Sequence, residues 1–343
     1  MSVKRYENNP ILSSADLSYP SSLVFNAGVA KYRNQYVMVF RNDVGFAPDS
    51  RKDIHINLGI AFSDDGKQWK PAPHPWLETA GRHPELERIY DPRLTVIEDR
   101  CYICFAADTR FGVCGGIGLI SEDFSSIEIL SISSPDNRNM VLFPEKINGK
   151  FVRLERPFPE YSLNYREHFD IWMSTSPDGR HWGESRIVLS HADVPFCNSK
   201  IGPAAPPVRT EQGYLTLFHA VWKDTGKDLS CWDLGCGTRW NKTYYAGLML
   251  LNPDDPSKVT GLCRKPLLAP VEKYELEGFR GSVIFPGGMI QEDSGEVKIY
   301  YGAADTVECL ATASVEELLA MCEPVTLNHF SLNDRKLDCK ISR

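Results

Sequence analysis

Long apolar runs are missing from this chain: none approaches the roughly 18 residues that a membrane-spanning helix needs, and the first residues, Met1-Ser2-Val3-Lys4-Arg5-Tyr6-Glu7, have no apolar core of the secretory kind. The expectation is a cytoplasmic protein with no membrane partner. Runs of Lys or Arg are missing too. With a net charge of −7 there is no basic field to attract a nucleic-acid backbone, although a local basic pocket for one small anion stays compatible. The ten cysteines lack zinc-type spacing: neither Cys101, Cys104 and Cys114 nor Cys231 and Cys236 have paired histidines nearby. No metal is expected, and the thiols read as reduced. Helical periodicity is nearly absent as well, and only Val315–Met321 reads as a helix.

What is present is a repeat. Ser63-Asp64-Asp65-Gly66-Lys67-Gln68-Trp69 and Ser176-Pro177-Asp178-Gly179-Arg180-His181-Trp182 share the form Ser-x-Asp-Gly-x-x-Trp, a turn followed by an aromatic able to pack back between strands. Weaker echoes lie at Ser121-Glu122-Asp123-Phe124, at Asn252-Pro253-Asp254-Asp255-Pro256 and at Ser314-Val315-Glu316-Glu317-Leu318. Each echo follows a short apolar run, and alternating strand pairs precede it, such as Val29 to Tyr32 with Tyr36 to Phe40 across Arg33-Asn34-Gln35. Five units of short strands with a long period predict an all-β chain, a five-bladed β-propeller with a short C-terminal helix. A length of 343 residues with 42% hydrophobic content suits a single domain over 1–343, in which residues from about 323 form a C-terminal extension without a readable pattern.

The predicted innermost strands start at Phe25-Asn26-Ala27-Gly28, Tyr90-Asp91-Pro92-Arg93, Asn139 to Pro144, Lys200 to Ala204 and Ser282 to Gly287. Small, Gly- and Pro-marked starts are what crowding around one axis requires. Polar residues near them are Asn26, Arg41, Asp91, Arg93, Arg138, Asn139, Arg156, Asp170, Lys200, His219, Arg280 and Asp305. Asp91 and Arg93, two apart in a strand, are expected on one face; a catalytic carboxylate and an ion pair sealing a strand end both remain open. Arg138, Arg156 and Lys200 would converge on the axis and suit a phosphate or a carboxylate; the alternative pairs them with Asp136, Glu155 or Glu145. His219 is read either as a ligand or as a satisfied core histidine. Three Trp in the polar stretch from Trp222 to Tyr245, with Tyr244 at its end, suit either sugar stacking or loop packing.

At these residues the chain resembles glycoside hydrolase family 130, the β-mannoside phosphorylases. The likeness runs from Asn9-Pro10-Ile11-Leu12 through Phe25-Asn26-Ala27-Gly28, Tyr90-Asp91-Pro92-Arg93, Asn137 to Pro144, Arg156-Pro157, Lys200-Ile201-Gly202-Pro203 and His219 to Tyr300-Tyr301-Gly302-Ala303-Ala304-Asp305-Thr306. It implies that Asp91 is the general acid, and that Arg138, Asn139, Arg156, Lys200 and His219 hold inorganic phosphate. Asn26, Arg41, Asp170 and Asp305 would bind the mannoside; Arg93, Tyr244 and Arg280 are further substrate-binding candidates, with orientation of the acid as the equal alternative for Arg93. The implied reaction needs no cofactor, only phosphate as co-substrate, and takes a β-mannoside oligosaccharide as partner. One acid beside cations favours phosphorolysis, since a hydrolase also needs a base to activate water. The 222–245 stretch and Phe279-Arg280-Gly281 point to the β-1,2-acting branch, with a β-1,4-mannooligosaccharide or mannosyl-glucose phosphorylase as the alternative. Rival readings are a hydrolase or sialidase-like enzyme on the same fold and a non-catalytic glycan-binding propeller; the oligomeric state stays open, a homo-oligomer included.

Overall fold

Both residues of the turn Arg33-Asn34 have positive φ, 49° and 65°, the twist that joins neighbouring antiparallel strands. This turn pairs Leu23–Tyr32 with Gln35–Val44, and His55–Ser63 and Lys70–Pro71 complete a four-stranded antiparallel sheet, blade 1. The computed structural model describes residues 3–45, 55–78, 85–159, 168–224 and 241–327. Blade 2 is Leu86–Ile97, Arg100–Thr109, Gly112–Ile120 and Ile127–Ile132, and blade 3 is Asn137–Leu142, Phe151–Pro157, Ile171–Ser176 and Gly183–Leu189. Blade 4 is Ile201–Pro203, Gly213–Lys223, Lys242–Leu251 and Val259–Leu262, and Ile284–Gln291, Glu296–Ala303 and Val307–Ser314 belong to blade 5. The chain is a five-bladed β-propeller.

The fourth strand of blade 5 comes from the other end of the sequence: Lys4 pairs with Thr312 and Arg5 with Ala311. This closure explains why the fifth echo is no strand-to-strand turn. Ser314 accepts a hydrogen bond from the Glu317 backbone N–H at 3.2 Å, while Glu317 accepts one from the Ser314 N–H at 3.1 Å, so the two form a capping box that starts the helix Val315–Met321. The C-terminal extension begins by pairing Glu323–Pro324 with the outer edge of blade 4, not with the last blade.

In blades 1 and 3 the Ser-x-Asp-Gly turns are built alike. Ser63 and Ser176 hydroxyls accept from the N–H of Gly66 and Gly179, at 2.9 and 2.8 Å, and Asp65 and Asp178 cap the next two N–H groups. Their tryptophans wedge between blades, Trp69 edge-on to Tyr300 of blade 5 and Trp182 against the blade 2–3 cluster of Tyr102, Met140 and Phe151. A second repeat was not legible: Phe40, Phe105 and Phe218 each lie across the cross-strand glycines Gly59, Gly116 and Gly247, where an added Cβ would meet the ring at 2.1, 2.1 and 2.3 Å.

A polar lock joins blades 1 and 5. Glu292 accepts from Lys298 at 2.7 Å, from Lys31 at 3.0 Å and from the Tyr36 hydroxyl. Burial pushes its carboxyl up, and these donors more than offset that, bringing it down to about 2. A depressed carboxyl adds stability that is present above its unfolded-state pKa and is lost as the pH falls towards its folded-state value. Glu292→Gln is therefore expected to cost about 2–3 kcal/mol at pH 7, with the gap to the wild type shrinking below about pH 4.5. Urea unfolding at pH 7 and pH 3 checks this, and an equal gap at both contradicts it.

Candidate functional site

Three innermost strands carry the same irregularity. In blade 1 Asn26 and Ala27 lie opposite Phe40, in blade 2 Asp91 and Pro92 opposite Phe105, and in blade 3 Asn139 and Met140 opposite Glu155, so each strand has two residues facing one. The first residue of each pair has a left-handed backbone, with φ of 53° at Asn26, 51° at Asp91 and 58° at Asn139. Asn and Asp tolerate this region better than other non-glycine residues. The bulges turn these three side chains into one cavity near the axis that opens to solvent. Arg41, Tyr90, Arg138, Arg156, Tyr244, Arg280, Val283, Phe285 and Asp305 complete its lining.

Asp91 is held on one oxygen. Asn26 Nδ2 donates to Oδ1 at 3.0 Å and Arg41 Nη1 lies 3.5 Å from the same atom. Arg41 is itself clamped by Asp43 at 2.6 and 2.7 Å, between the rings of Phe25 and Tyr90. Burial pushes the Asp91 carboxyl up, but Arg41, Arg93, Asn26 and Arg138 more than offset this and hold it below the usual carboxylate range. Asp305, on a left-handed residue of blade 5, is pushed the other way by burial; Arg280, 3.1 Å from its Oδ2, and Arg41 offset only part of that. The lining thus has two carboxyls, and Asp91 is not the lone acid that the sequence suggested.

Across the axis, blade 3 contributes Arg138, Asn139 and Arg156 and no carboxyl to the lining. Arg138 lies over the Phe158 ring, and Arg156 over Phe158 and Phe169. Two of the three local acids are engaged elsewhere: Glu155 takes Arg153 at 2.9 Å and Asn137 at 2.7 Å, and Glu145 takes Tyr214 at 2.7 Å and Arg209 at 3.4 Å. Arg138 Nε, Asn139 Oδ1 and Asn26 Oδ1 are buried without a hydrogen-bond partner among the described residues. Buried polar atoms rarely stay so, and a polar ligand in this cavity would satisfy them.

A family profile described as beta-1,4-mannooligosaccharide phosphorylase, that of glycoside hydrolase family 130, matches residues 3–324. The chain belongs to glycoside hydrolase family 130. The beta-1,2-mannobiose phosphorylase of Listeria innocua is 28% identical over 94% of this chain and 99% of its own. Its structure in complex with beta-1,2-mannobiose has a TM-score of 0.77 to this chain over the same shares. The beta-1,4-mannooligosaccharide phosphorylase of Ruminococcus albus is 31% identical over 92% of this chain and 89% of its own.

Of the residues expected from the family 130 resemblance, Asn26, Arg41, Asp91, Arg138, Asn139, Arg156, Tyr244, Arg280 and Asp305 line the cavity, and four do not. Arg93 does not share a face with Asp91, because the bulge between them breaks the alternation. Its guanidinium is buried at the axis and donates to the carbonyls of Asn26, Pro92, Ala204 and Pro286, which belong to four blades, beneath the Phe285 ring. Arg93 is thus a plug under the site and not a substrate contact. Asp170 accepts from the His191 N–H at 2.7 Å, His191 Nδ1 at 2.8 Å and Ser190 Oγ at 3.1 Å, all on Oδ1, which ties it to the 190–193 turn.

His219 stands behind Arg156, whose Nη1 is 3.0 Å from its Nε2. Arg can only donate, so Nε2 carries the lone pair. Burial, then Arg156, Lys200, Arg93 and Arg138, pull the imidazole well below its ordinary range, and it is neutral. Lys200 is buried too, is absent from the lining and shares the Phe169 ring with Arg156. Tyr90, Val283 and Phe285 line the cavity without having been singled out, because an aromatic or aliphatic in an apolar strand reads as core. The aromatic stretch expected to set linkage falls largely on 225–240, outside the described residues.

Proposed function

We propose that the chain is an inverting β-mannoside phosphorylase in which Asp91 is the acid and the blade 3 wall holds phosphate. Phosphate attacks C1 of a non-reducing β-mannosyl unit. The bond from C1 to phosphate oxygen forms as the bond to the glycosidic oxygen breaks, giving α-mannose 1-phosphate and a shortened mannoside. The observation that carries this reading is the arrangement across the axis: carboxyls from blades 2 and 5 face Arg138, Asn139 and Arg156 from blade 3, where no carboxyl lines the cavity to activate a water. Phosphate is already a nucleophile and needs only neutralisation and placement.

The same cations govern the acid. In the free site Asp91 is ionised, held down by Arg41, Arg93 and Arg138 once burial is offset. A phosphate dianion on Arg138 and Arg156 would cancel part of that field and raise the Asp91 pKa, so that loading the nucleophile favours loading the proton. Asn26 and Arg41 occupy Oδ1, which leaves Oδ2 to carry the proton to the leaving group. Asn26, Arg41, Arg280 and Asp305 would bind the mannosyl hydroxyls and Tyr244 the apolar part of the sugar. The reaction requires no cofactor.

A β-1,2 linkage is the proposed preference, supported by near end-to-end similarity to the Listeria enzyme and its mannobiose complex. Identities of 28% and 31% do not separate that enzyme from the β-1,4-acting relative. Comparing kcat/KM for β-1,2- and β-1,4-mannobiose at saturating phosphate tests the linkage, with β-1,2 expected to be the better substrate. Mannose release that proceeds equally without phosphate would instead make the chain a hydrolase.

A further inference from the structure

The strand that closes the ring has two residues, Lys4–Arg5, yet one of its side chains reaches far into the fold. Arg5 Nε donates to Glu275 Oε1 at 2.7 Å, and Nη2 to Glu275 Oε2 at 2.9 Å and to the Ala269 carbonyl at 2.7 Å. Glu275 has no solvent exposure; it also accepts from the Tyr301 hydroxyl at 2.9 Å and from the N–H groups of Val271 and Glu272 at 2.8 and 3.0 Å. Its bonds to Arg5 and Tyr301 hold the short helix Lys273–Leu276 to the N-terminal strand and to blade 5, while those from Val271 and Glu272 cap the helix start itself.

Beyond that helix the chain forms one wall of the cavity with little slack. Val283 N–H returns to the Glu275 carbonyl at 3.2 Å, and a Cβ at Gly281 would lie 2.4 Å from the Leu276 carbonyl oxygen. Ser282 has a left-handed backbone at φ 60°. Between these points Arg280 N–H donates to Ala304 O at 3.0 Å, Phe279 N–H to Thr306 Oγ1 at 2.8 Å and the Arg280 guanidinium to Asp305 at 3.1 Å. Tyr244 N–H joins the same wall through Ser282 O at 3.0 Å. These bonds connect Glu275 with Arg280, Asp305 and Tyr244, and none of them runs through Arg138 or Arg156 on blade 3.

We infer that Arg5 and Glu275 are positioning residues for the sugar wall, so that docking of the N-terminal strand sets where Arg280 and Asp305 stand. This rests on the reading of that wall as the mannosyl subsite. Ring closure and assembly of that subsite become one event, although Arg5 itself touches no lining residue. Because the Arg5 side chain is 21% exposed, Arg5→Gln can keep the fold, and Arg5→Lys restores the charge without the two-pronged grip.

The test measures KM for β-mannobiose and for phosphate separately in wild type, Arg5→Gln and Arg5→Lys, with amide hydrogen exchange over 279–283 and 304–306. Misplacement on the order of 1 Å can cost about 10²-fold, and a smaller displacement through a linked wall is expected to raise the mannoside KM about 10-fold in Arg5→Gln. The phosphate KM is expected to stay within about 2-fold, exchange to quicken at those amides but not in blade 3, and Arg5→Lys to recover part of the loss. A lower Tm with an unchanged mannoside KM, or both KM values rising together, overturns the inference. If wild type shows no phosphorolysis, the reading of the function has failed, and exchange alone decides: quicker exchange around Arg280 supports the coupling and unchanged exchange overturns it.

Discussion

Asp91→Asn is expected to lower kcat by at least about 10³-fold, within the 10²–10⁴ range of general acid catalysis, and to lower the unfolding midpoint at pH 7 as well, since a carboxyl held below its usual range adds stability there. The backbone at this position has φ 51°, which Asn tolerates as well as Asp does, and the amide oxygen can still accept from Asn26 and Arg41. The acidic proton is lost, and with it one negative charge. A second effect separates this from a general loss of structure. Taking one negative charge from among Arg41, Arg93 and Arg138 strengthens the pull on a phosphate dianion, so the phosphate KM is expected to fall. Steady-state kinetics against both substrates gives the two numbers; a variant within about 10-fold of the wild-type kcat would remove Asp91 from the role.

The second large effect is at the anion wall. Arg156 is held by His219 Nε2 at 3.0 Å and by the Phe158 and Phe169 rings, so its guanidinium is set before any ligand arrives. A hydrogen bond to a charged group contributes roughly 1.5–3 kcal/mol. Arg156→Ala is therefore expected to raise the phosphate KM by about 10²-fold, with the mannoside KM nearly unchanged. Arg156→Lys restores the charge but not the planar fork and should recover only part. Initial rates over a wide phosphate range check this, and an unaltered phosphate dependence contradicts the assignment of the wall.

The blades were legible because their punctuation is local. Turns such as Ser63 to Gly66 and Ser176 to Gly179 close within four residues through their own side chains, and Ser314 with Glu317 forms a capping box that any helix start of this type displays. Closure by Lys4–Arg5 was not legible, since two residues carry no period and their partners, Thr312 and Ala311, lie at the far end of the chain. Nor was the face on which Arg93 lies. Strict alternation puts Asp91 and Arg93 together, and one extra residue in the strand reverses the second of them. A signal was present, however: Asn26, Asp91 and Asn139 stand at matching places in three inner strands, and Asn or Asp repeated at one place marks a left-handed residue.

The site was legible in its residue types more than in its layers. The cations named from the sequence do lie near the axis, but not all of them line the cavity. Arg138 and Arg156 do, Lys200 and His219 do not, and Arg93 donates to backbone carbonyls of four blades. Sequence spacing places side chains near an axis and carries no record of depth. Asp170 is absent from the lining, and its partner His191 lies across a turn that no motif announces.

Phosphorus NMR of the products is the most direct measurement. With inorganic phosphate and β-1,2-mannobiose, the account predicts one new resonance, that of α-mannose 1-phosphate, appearing in step with free mannose and absent for Asp91→Asn. Release of mannose with no phosphorylated sugar, at a rate indifferent to phosphate, would contradict it.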